Sequence, residues 1–425
     1  MEKENVTFES LGVSAPLLDI LASKDIKEPT PIQARCIVPA MEGNDCIGIA
    51  QTGTGKTLVF VLAMIKFLVT NRDKQALILA PTRELALQTQ ETCDWFKKSQ
   101  RIYSSVIIGG ANMKRQKEEL RRRPQIIIAT PGRLIDHLQQ KTIRLDTTSF
   151  LVLDEADRMF DMGFAPQIKQ ILQSMPKKED RQTLLFSATM PDAIAKLIMQ
   201  HMREPIRIEI DLPGTVAIKV QQEIIVLEND HKKTALLELL NQTQDAVLVF
   251  TRTKHGAKKL TQWLRGENQR AEELHGNLSL AQRKKAVNAV QTKKSRILVA
   301  TDVAARGIDI AHLRLVINYD LPENAEDYVH RIGRTGRAGI NGRAVSFVST
   351  DQKNELGDIQ HLINSTIKQT HLKTVPTAEL TNARRKLPRR GGRSNSFNKR
   401  GNGYYSRSRS KPSNKPRRKY QRKRG

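Results

Sequence analysis

Short apolar runs alternate with longer amphipathic stretches through the first 365 of 425 residues. Cys46-Ile-Gly-Ile-Ala, Ala76-Leu-Ile-Leu-Ala, Ile126-Ile-Ile-Ala, Phe150-Leu-Val-Leu and Leu184-Leu-Phe read as strands buried on both faces. Helical patterns such as Glu84 to Lys97 and Asn112 to Arg122 lie between them. That alternation calls for right-handed crossover units around a parallel sheet, an α/β fold. A second series follows: Ala246-Val-Leu-Val-Phe, Arg296-Ile-Leu-Val-Ala, Leu315-Val-Ile-Asn-Tyr and Ala344-Val-Ser-Phe-Val. It repeats the architecture without repeating the sequence. Pro213 and Gly214 break the chain between the two series. The expectation is a first domain over 1–209, a linker over 210–218 and a second domain over 219–365.

Beyond 365 the composition changes. Eighteen lysines and arginines and no acid lie between Arg384 and Gly425, among glycine, serine and asparagine. The net charge of +27 therefore leaves only +9 on the first 383 residues. Such a segment buries too little apolar area to fold alone, so 366–425 is expected to be a disordered basic tail. Its partner should be a polyanion; a solubilising tail or an anionic membrane surface is the competing reading. The longest apolar stretch, Leu58 to Val69, is interrupted by Lys66 and is too short to span a bilayer. The N-terminus lacks the layout of a secretory signal, and the three cysteines include no C-x-x-C pair. These features fit a reducing, cytoplasmic setting.

Gly53-Thr54-Gly55-Lys56-Thr57 follows the strand at Cys46–Ala50 and opens a helix near Leu58. Glycines let backbone N–H groups turn toward a phosphate, and a helix N-terminus adds favourable polarity. Lys56 would neutralise β- and γ-phosphate oxygens, and the Thr57 hydroxyl would ligate Mg²⁺. Ala50 stands where the usual first glycine of this pattern would be. Downstream, Asp154 and Glu155 end the apolar strand Leu151-Val-Leu, at the sheet edge where open α/β folds bind ligands. Alone, such a pair is more often a helix cap. Beside a phosphate loop, Asp154 suits Mg²⁺ held through water, and Glu155 suits orienting or deprotonating an attacking water.

Asp154-Glu-Ala-Asp157 completes a series that resembles the DEAD-box ATP-dependent RNA helicases. The series runs through Pro29-Thr-Pro-Ile-Gln33, Ala50 to Thr57, Pro81-Thr-Arg-Glu-Leu85, Gly109-Gly110 and Thr130-Pro-Gly-Arg133. It continues with Ser187-Ala-Thr189, Val249-Phe-Thr251, Thr301 to Asp309 and His330-Arg-Ile-Gly-Arg-Thr-Gly-Arg337. The resemblance covers about residues 5–365. It implies two tandem RecA-like domains, and in this family Ala50 is the normal residue. Met159-Phe-Asp-Met-Gly-Phe164 is similar to the bacterial RhlE-like branch.

The resemblance assigns roles by position. Gln33 would read the adenine edge, and Phe8 would stack on the ring unless it is simply a core residue. Arg334 and Arg337 resemble arginine fingers reaching toward the γ-phosphate, where stabilisation is mostly electrostatic. His330 would join the network around the attacking water, and Asp309 would contact ribose or that water. Arg83, Gly110, Thr130 and Arg133, with Thr251, Arg283 and Thr301, fall at RNA backbone contacts, and Ser187 and Thr189 at the coupling motif. Aromatic residues make up 4% of the chain, so stacking ladders are not expected and phosphate and sugar contacts should dominate. Two departures stand out: Asp25-Ile26 where Gly-Phe or Gly-Tyr is usual, and Leu280 where glutamine is usual. The implied activity is RNA-stimulated ATP hydrolysis with local strand opening by a monomer, serving ribosome assembly or RNA decay. An ATP-gated RNA clamp is the alternative.

Overall fold

The computed structural model describes residues 6–50, 53–210, 220–305, 310, 312–336, 342–376 and 378–381. Strands β1 (Cys46–Ile49), β2 (Gln75–Leu79), β3 (Ser104–Ile107), β4 (Ile126–Ala129), β5 (Thr148–Leu153), β6 (Gln182–Ser187) and β7 (Ile206–Glu209) form one sheet. Its spatial order is β3-β4-β2-β5-β6-β1-β7, and every pairing is parallel. A second parallel sheet holds β8 (Val220–Val226), β9 (Ala246–Phe250), β10 (Ala271–Leu274), β11 (Ile297–Ala300), β12 (Leu313–Asn318), β13 (Gly342–Val348) and β14 (Lys368–Gln369). Its order, β10-β11-β9-β12-β13-β8-β14, is the first order with every label advanced by seven.

Alternating side chains on each central strand supply two cores per sheet. Ala76 and Ile78 of β2 join one apolar cluster, and Leu77 and Leu79 join the cluster on the opposite face. In the second sheet Ala246, Leu248 and Phe250 face one way, while Val247 and Val249 face the other. Helices cover both faces, as a parallel sheet requires. The helix Lys56–Thr70 is buried continuously from Leu58 to Ile65, so it packs as an internal element rather than a surface one. Cys36, Cys46 and Cys93 are buried, unpaired thiols.

The expected helices are present as Arg83–Gln100 and Met113–Arg121. The Asn112 side chain caps the latter, accepting from the N–H groups of Lys114 at 2.9 Å and Arg115 at 3.2 Å. Five strands go beyond those expected: β3, β7, β8, β10 and β14. Four of these are sheet edges, and their sequences are short or mixed with polar residues, as in Ala271-Glu-Glu-Leu. Only part of an edge strand is buried, so no apolar run marks it.

The expected end of the second domain at 365 falls short. Ile367 and Val375 are buried, β14 pairs with β8, and Glu238 accepts from the N–H groups of Lys373 and Thr374 at 3.0 Å each. The segment after 365 therefore begins as part of the fold. Most of the expected linker (211–218) and the basic stretch from Arg384 lie outside the described residues. No helix among the described residues is long and apolar enough to cross a membrane.

Asp25 takes left-handed backbone, φ 56°, just after the helix Ala15–Ser23. The glycine usual there would hold that conformation without strain, and aspartate is among the few other residues that tolerate it. Ile26 packs on the apolar core of the first sheet. The departure thus preserves the chain path.

Candidate active site

The phosphate loop leaves the carboxyl end of β1, and Asp154 leaves that of β5; β6, ending at Ser187, lies between them. Gly53 and Gly55 both hold positive φ, 87° and 90°. A Cβ at Gly55 would sit 2.3 Å from the Gln33 amide nitrogen, so both the backbone angle and the close approach demand glycine. Gln33 ties two segments together: its Oε1 accepts from Thr30 N–H at 2.8 Å, and its Nε2 donates to the Gly55 carbonyl at 3.0 Å. The Thr30 hydroxyl donates to the Thr54 carbonyl at 2.7 Å. An amide retains one further hydrogen and one further lone pair, so Gln33 can brace the loop and still meet a nucleobase. Phe8 is 3% exposed and belongs to the apolar core, which leaves almost no ring surface for stacking.

Lys56 is buried and donates to the Ala50 carbonyl at 2.6 Å. Thr57, half-buried, follows it on the first helical turn. Burial, reinforced by the neighbouring Glu155 carboxylate and opposed by Lys56, pushes the Asp154 carboxyl up to about 7. Glu155 sits in left-handed backbone, φ 50°. Its buried Oε2 has no hydrogen-bond partner and lies 3.3 Å from the Arg158 guanidinium.

Asp157 joins the coupling motif directly. Its Oδ2 accepts from the N–H groups of Ala188 and Thr189, each at 2.9 Å, and from the Thr189 hydroxyl at 3.2 Å. The Asp157 N–H donates to the Ser187 hydroxyl at 3.1 Å. Movement of one motif must therefore be felt by the other.

Across from this edge, Arg158 lines a small hollow with His330, Arg331, Arg334 and Asp302 of the second half. The buried Arg334 donates through Nε to the His330 carbonyl at 3.2 Å. Arg331, which carried no expectation, is the anchor here. It makes two bonds to the Asp302 carboxylate, at 2.5 and 2.7 Å, one to the Asp320 carbonyl at 2.6 Å, and lies over the Phe250 ring at 5.0 Å. Arg337 and Asp309 lie outside the described residues.

Arg83, Thr130, Arg133 and Arg283 line one cleft of about 450 Å³. Gly110 adjoins it with φ 76°, and a Cβ there would lie 2.4 Å from the Arg83 guanidinium. Burial, together with the nearby guanidiniums of Arg283 and Arg133, holds Arg83 below its ordinary value. That crowding of positive charge suits a phosphodiester. Arg283 pairs with Glu84 at 2.5 Å and also donates to the carbonyls of His275 and Ala304, each at 3.3 Å. Glu84, inside the quoted Pro81–Leu85 motif, carried no expectation. Leu280 packs on the apolar core of the first half, an apolar contact where the family has an amide. Beneath the cleft, buried His137 lies 3.3 Å from Gln116 Oε1 and 2.8 Å from the Thr142 hydroxyl, and Gln116 donates to the Ile108 carbonyl. Thr251 and Thr301 are not among the residues of this cleft; Thr251 is 1% exposed, with its hydroxyl 3.4 Å from the Thr253 carbonyl.

Residues 30–197 match the family model described as DEAD/DEAH box helicase, and residues 231–339 match the helicase conserved C-terminal domain. The DEAD-box ATP-dependent RNA helicase CshA of Bacillus cereus is 42% identical over 356 residues, 83% of this chain and 67% of the relative. This chain belongs to the DEAD-box RNA helicase family. A second member, the ATP-dependent RNA helicase CshA of Limosilactobacillus reuteri, is 42% identical over 374 residues, 88% of this chain and 74% of the relative. Among solved structures, S. cerevisiae Dbp5 bound to RNA and ADP BeF3 superposes with a TM-score of 0.76 at 32% identity. That match covers 86% of this DEAD-box chain and 95% of Dbp5. The two parallel sheets are thus the tandem RecA-like domains of the family.

Proposed function

We propose that this protein is an ATP-dependent RNA helicase that binds single-stranded RNA in the cleft of Arg83, Arg133 and Arg283 and opens short duplexes locally. The observation that carries this reading is the convergence at one sheet edge. The glycine-bounded loop with Lys56, the Asp154–Glu155 pair and the Asp157 tie to Ser187–Thr189 all lie there. Lys56 would neutralise phosphate oxygens, and Glu155, whose Oε2 accepts no hydrogen bond although it faces the Arg158 guanidinium, would take the proton of an attacking water. His330 and Arg334, with Arg337, would meet the γ-phosphate from the second half, where added positive charge stabilises transfer.

Magnesium fits the residues present. Asp154 is a buried carboxyl pushed up to about 7 by burial and by the neighbouring Glu155, and carboxylate and hydroxyl oxygens are donors that suit a hard cation. Thr57 and Asp154 would hold the ion, which supplies charge neutralisation at the phosphates when bound. The basic segment from Arg384 would add sequence-independent RNA affinity, and the setting would be the cytoplasm.

The test is ATP turnover by the full chain with and without single-stranded RNA, beside unwinding of a short RNA duplex. RNA stimulation with unwinding is expected. Turnover that ignores RNA would overturn the helicase reading, and stimulation by RNA without any unwinding would support the clamp instead.

A further inference from the structure

The helicase cleft uses the carboxyl edge of the first sheet. The opposite edge, where β3, β4, β2 and β5 begin side by side, carries two adjoining hollows of about 480 and 600 Å³. Arg123-Pro124-Gln125 forms their shared wall. Four neighbouring strands at the usual spacing make a path of roughly 14 Å across this edge.

Charge along the path is one-sided. The three acids of its lining are already engaged: Asp73 with Lys74, Asp146 with Arg144, and Glu119 with Arg115. Arg122, Arg123 and Lys141 are exposed and make no ion pair among the described residues. Arg123 and Lys141, with Arg101 nearby, also hold left-handed backbone at helix ends, φ 51°, 52° and 53°. Glycine is the usual residue there, and each larger side chain costs about 1 kcal/mol. One end of the path offers a ring. Tyr103 is 53% exposed, with the Lys97 ammonium 5.6 Å from its centroid.

The geometry points to a second binding surface, for single-stranded RNA, on the amino edge of the first sheet. Cations spaced along a groove track phosphates, and an exposed ring stacks a base without regard to sequence. An acidic polypeptide would use the charge but not the ring. The surface rests on RNA as the polyanion of the proposed function, and would hold a strand flanking the segment in the helicase cleft. Two linked contacts raise affinity for long RNA and leave short RNA to the cleft alone.

The test compares full-length protein with an Arg122→Glu/Arg123→Glu/Lys141→Glu variant and with Tyr103→Ala. The probes are oligouridylates of roughly 10 and roughly 40 nucleotides, spanning one and several single-strand sites. Expected are unchanged affinity for the short strand and about tenfold weaker binding of the long one by the charge variant. Loss of three phosphate contacts should also flatten the salt slope for the long strand by about 2. Tyr103→Phe should restore what Tyr103→Ala loses. ATPase stimulated by the short strand reports on fold and cleft separately, so failure of the helicase reading shows in the parent protein. Should the triple variant not fold, Tyr103→Ala and Lys141→Gln carry the test. Equal long-strand affinity in variants and parent overturns the proposal.

Discussion

The two halves share a strand order but not a chemistry, and one pair of residues shows why. In the first half Lys56 opens the helix after the first strand, and Asp154 follows the fifth. In the second, Lys232 opens the helix after β8, and Asp320 lies just beyond β12, the fifth strand of its sheet. Both lysines are 6% exposed. In the second half, however, the intervening Leu227-Glu-Asn-Asp-His231 has no glycine, and Lys232 closes onto Asp320 at 3.0 Å. Asp320 also accepts from the Arg252 N–H at 3.1 Å. The same fold positions thus end as a sealed ion pair on one side and, on the other, as a lysine on a backbone carbonyl near a carboxyl that forms no close ion pair among the described residues. Nucleotide chemistry resides in the loop, not in the sheet that carries it.

The contrast breaks first at Glu155, which has no acidic counterpart at Leu321. Glu155→Gln should lower RNA-stimulated turnover by about 10²–10⁴ while keeping ATP-dependent RNA binding. Steady-state ATPase and filter binding measure the two, and near-parental turnover would remove Glu155 from water activation.

A smaller effect should appear in the pH dependence of folding. A carboxyl raised to about 7 from an ordinary 3.8 binds more protons native than unfolded between those values. Asp154 therefore adds a loss of stability as pH rises across that window, up to about 1.4 kcal/mol per pH unit. Urea titrations from pH 4 to 8 without nucleotide should show this slope, and Asp154→Asn should remove it. A parallel pair of profiles would mean that Asp154 is not held as described.

On the sealed side, Lys232→Met should cost about 1–3 kcal/mol by leaving Asp320 without its ammonium. Adding Asp320→Asn should cost less than the sum of the single changes. Neither should move ATP affinity, and a fall in it would show that the Lys232–Asp320 pair itself takes part in nucleotide binding. The least effect is expected from Phe8→Leu, about 1 kcal/mol of stability from lost packing, with KM for ATP within twofold. A large rise in KM would restore the stacking role.

What could be read in the sequence follows burial and local spacing. Central strands such as Ile126–Ala129 are buried on both faces and announce themselves as apolar runs; edge strands such as Ala271–Leu274 do not. The phosphate loop and the acidic pair were legible because their residues are contiguous and each follows a strand. Glu84, Arg158 and Arg331 went unnoticed although they sit in or beside quoted motifs. Glu84 and Arg331 have partners far away in the chain, and no spacing rule encodes a contact such as Glu84–Arg283; Arg158 meets Glu155 only three residues back, and its near-complete burial is what the sequence hides. Phe8 shows the converse: position suggested a ligand contact, and packing placed it in the core.

The three thiols have a practical use. Burial pushes Cys36 and Cys46 up to about 12, and Cys93 further still, so almost no thiolate exists at neutral pH. The native chain is thus chemically silent toward maleimides while it stays folded. One cysteine introduced on each half would carry a fluorophore pair without deleting any natural residue. Distance changes between the halves during turnover could then be followed in single molecules, with labelling of the parent protein as a built-in alarm for local unfolding.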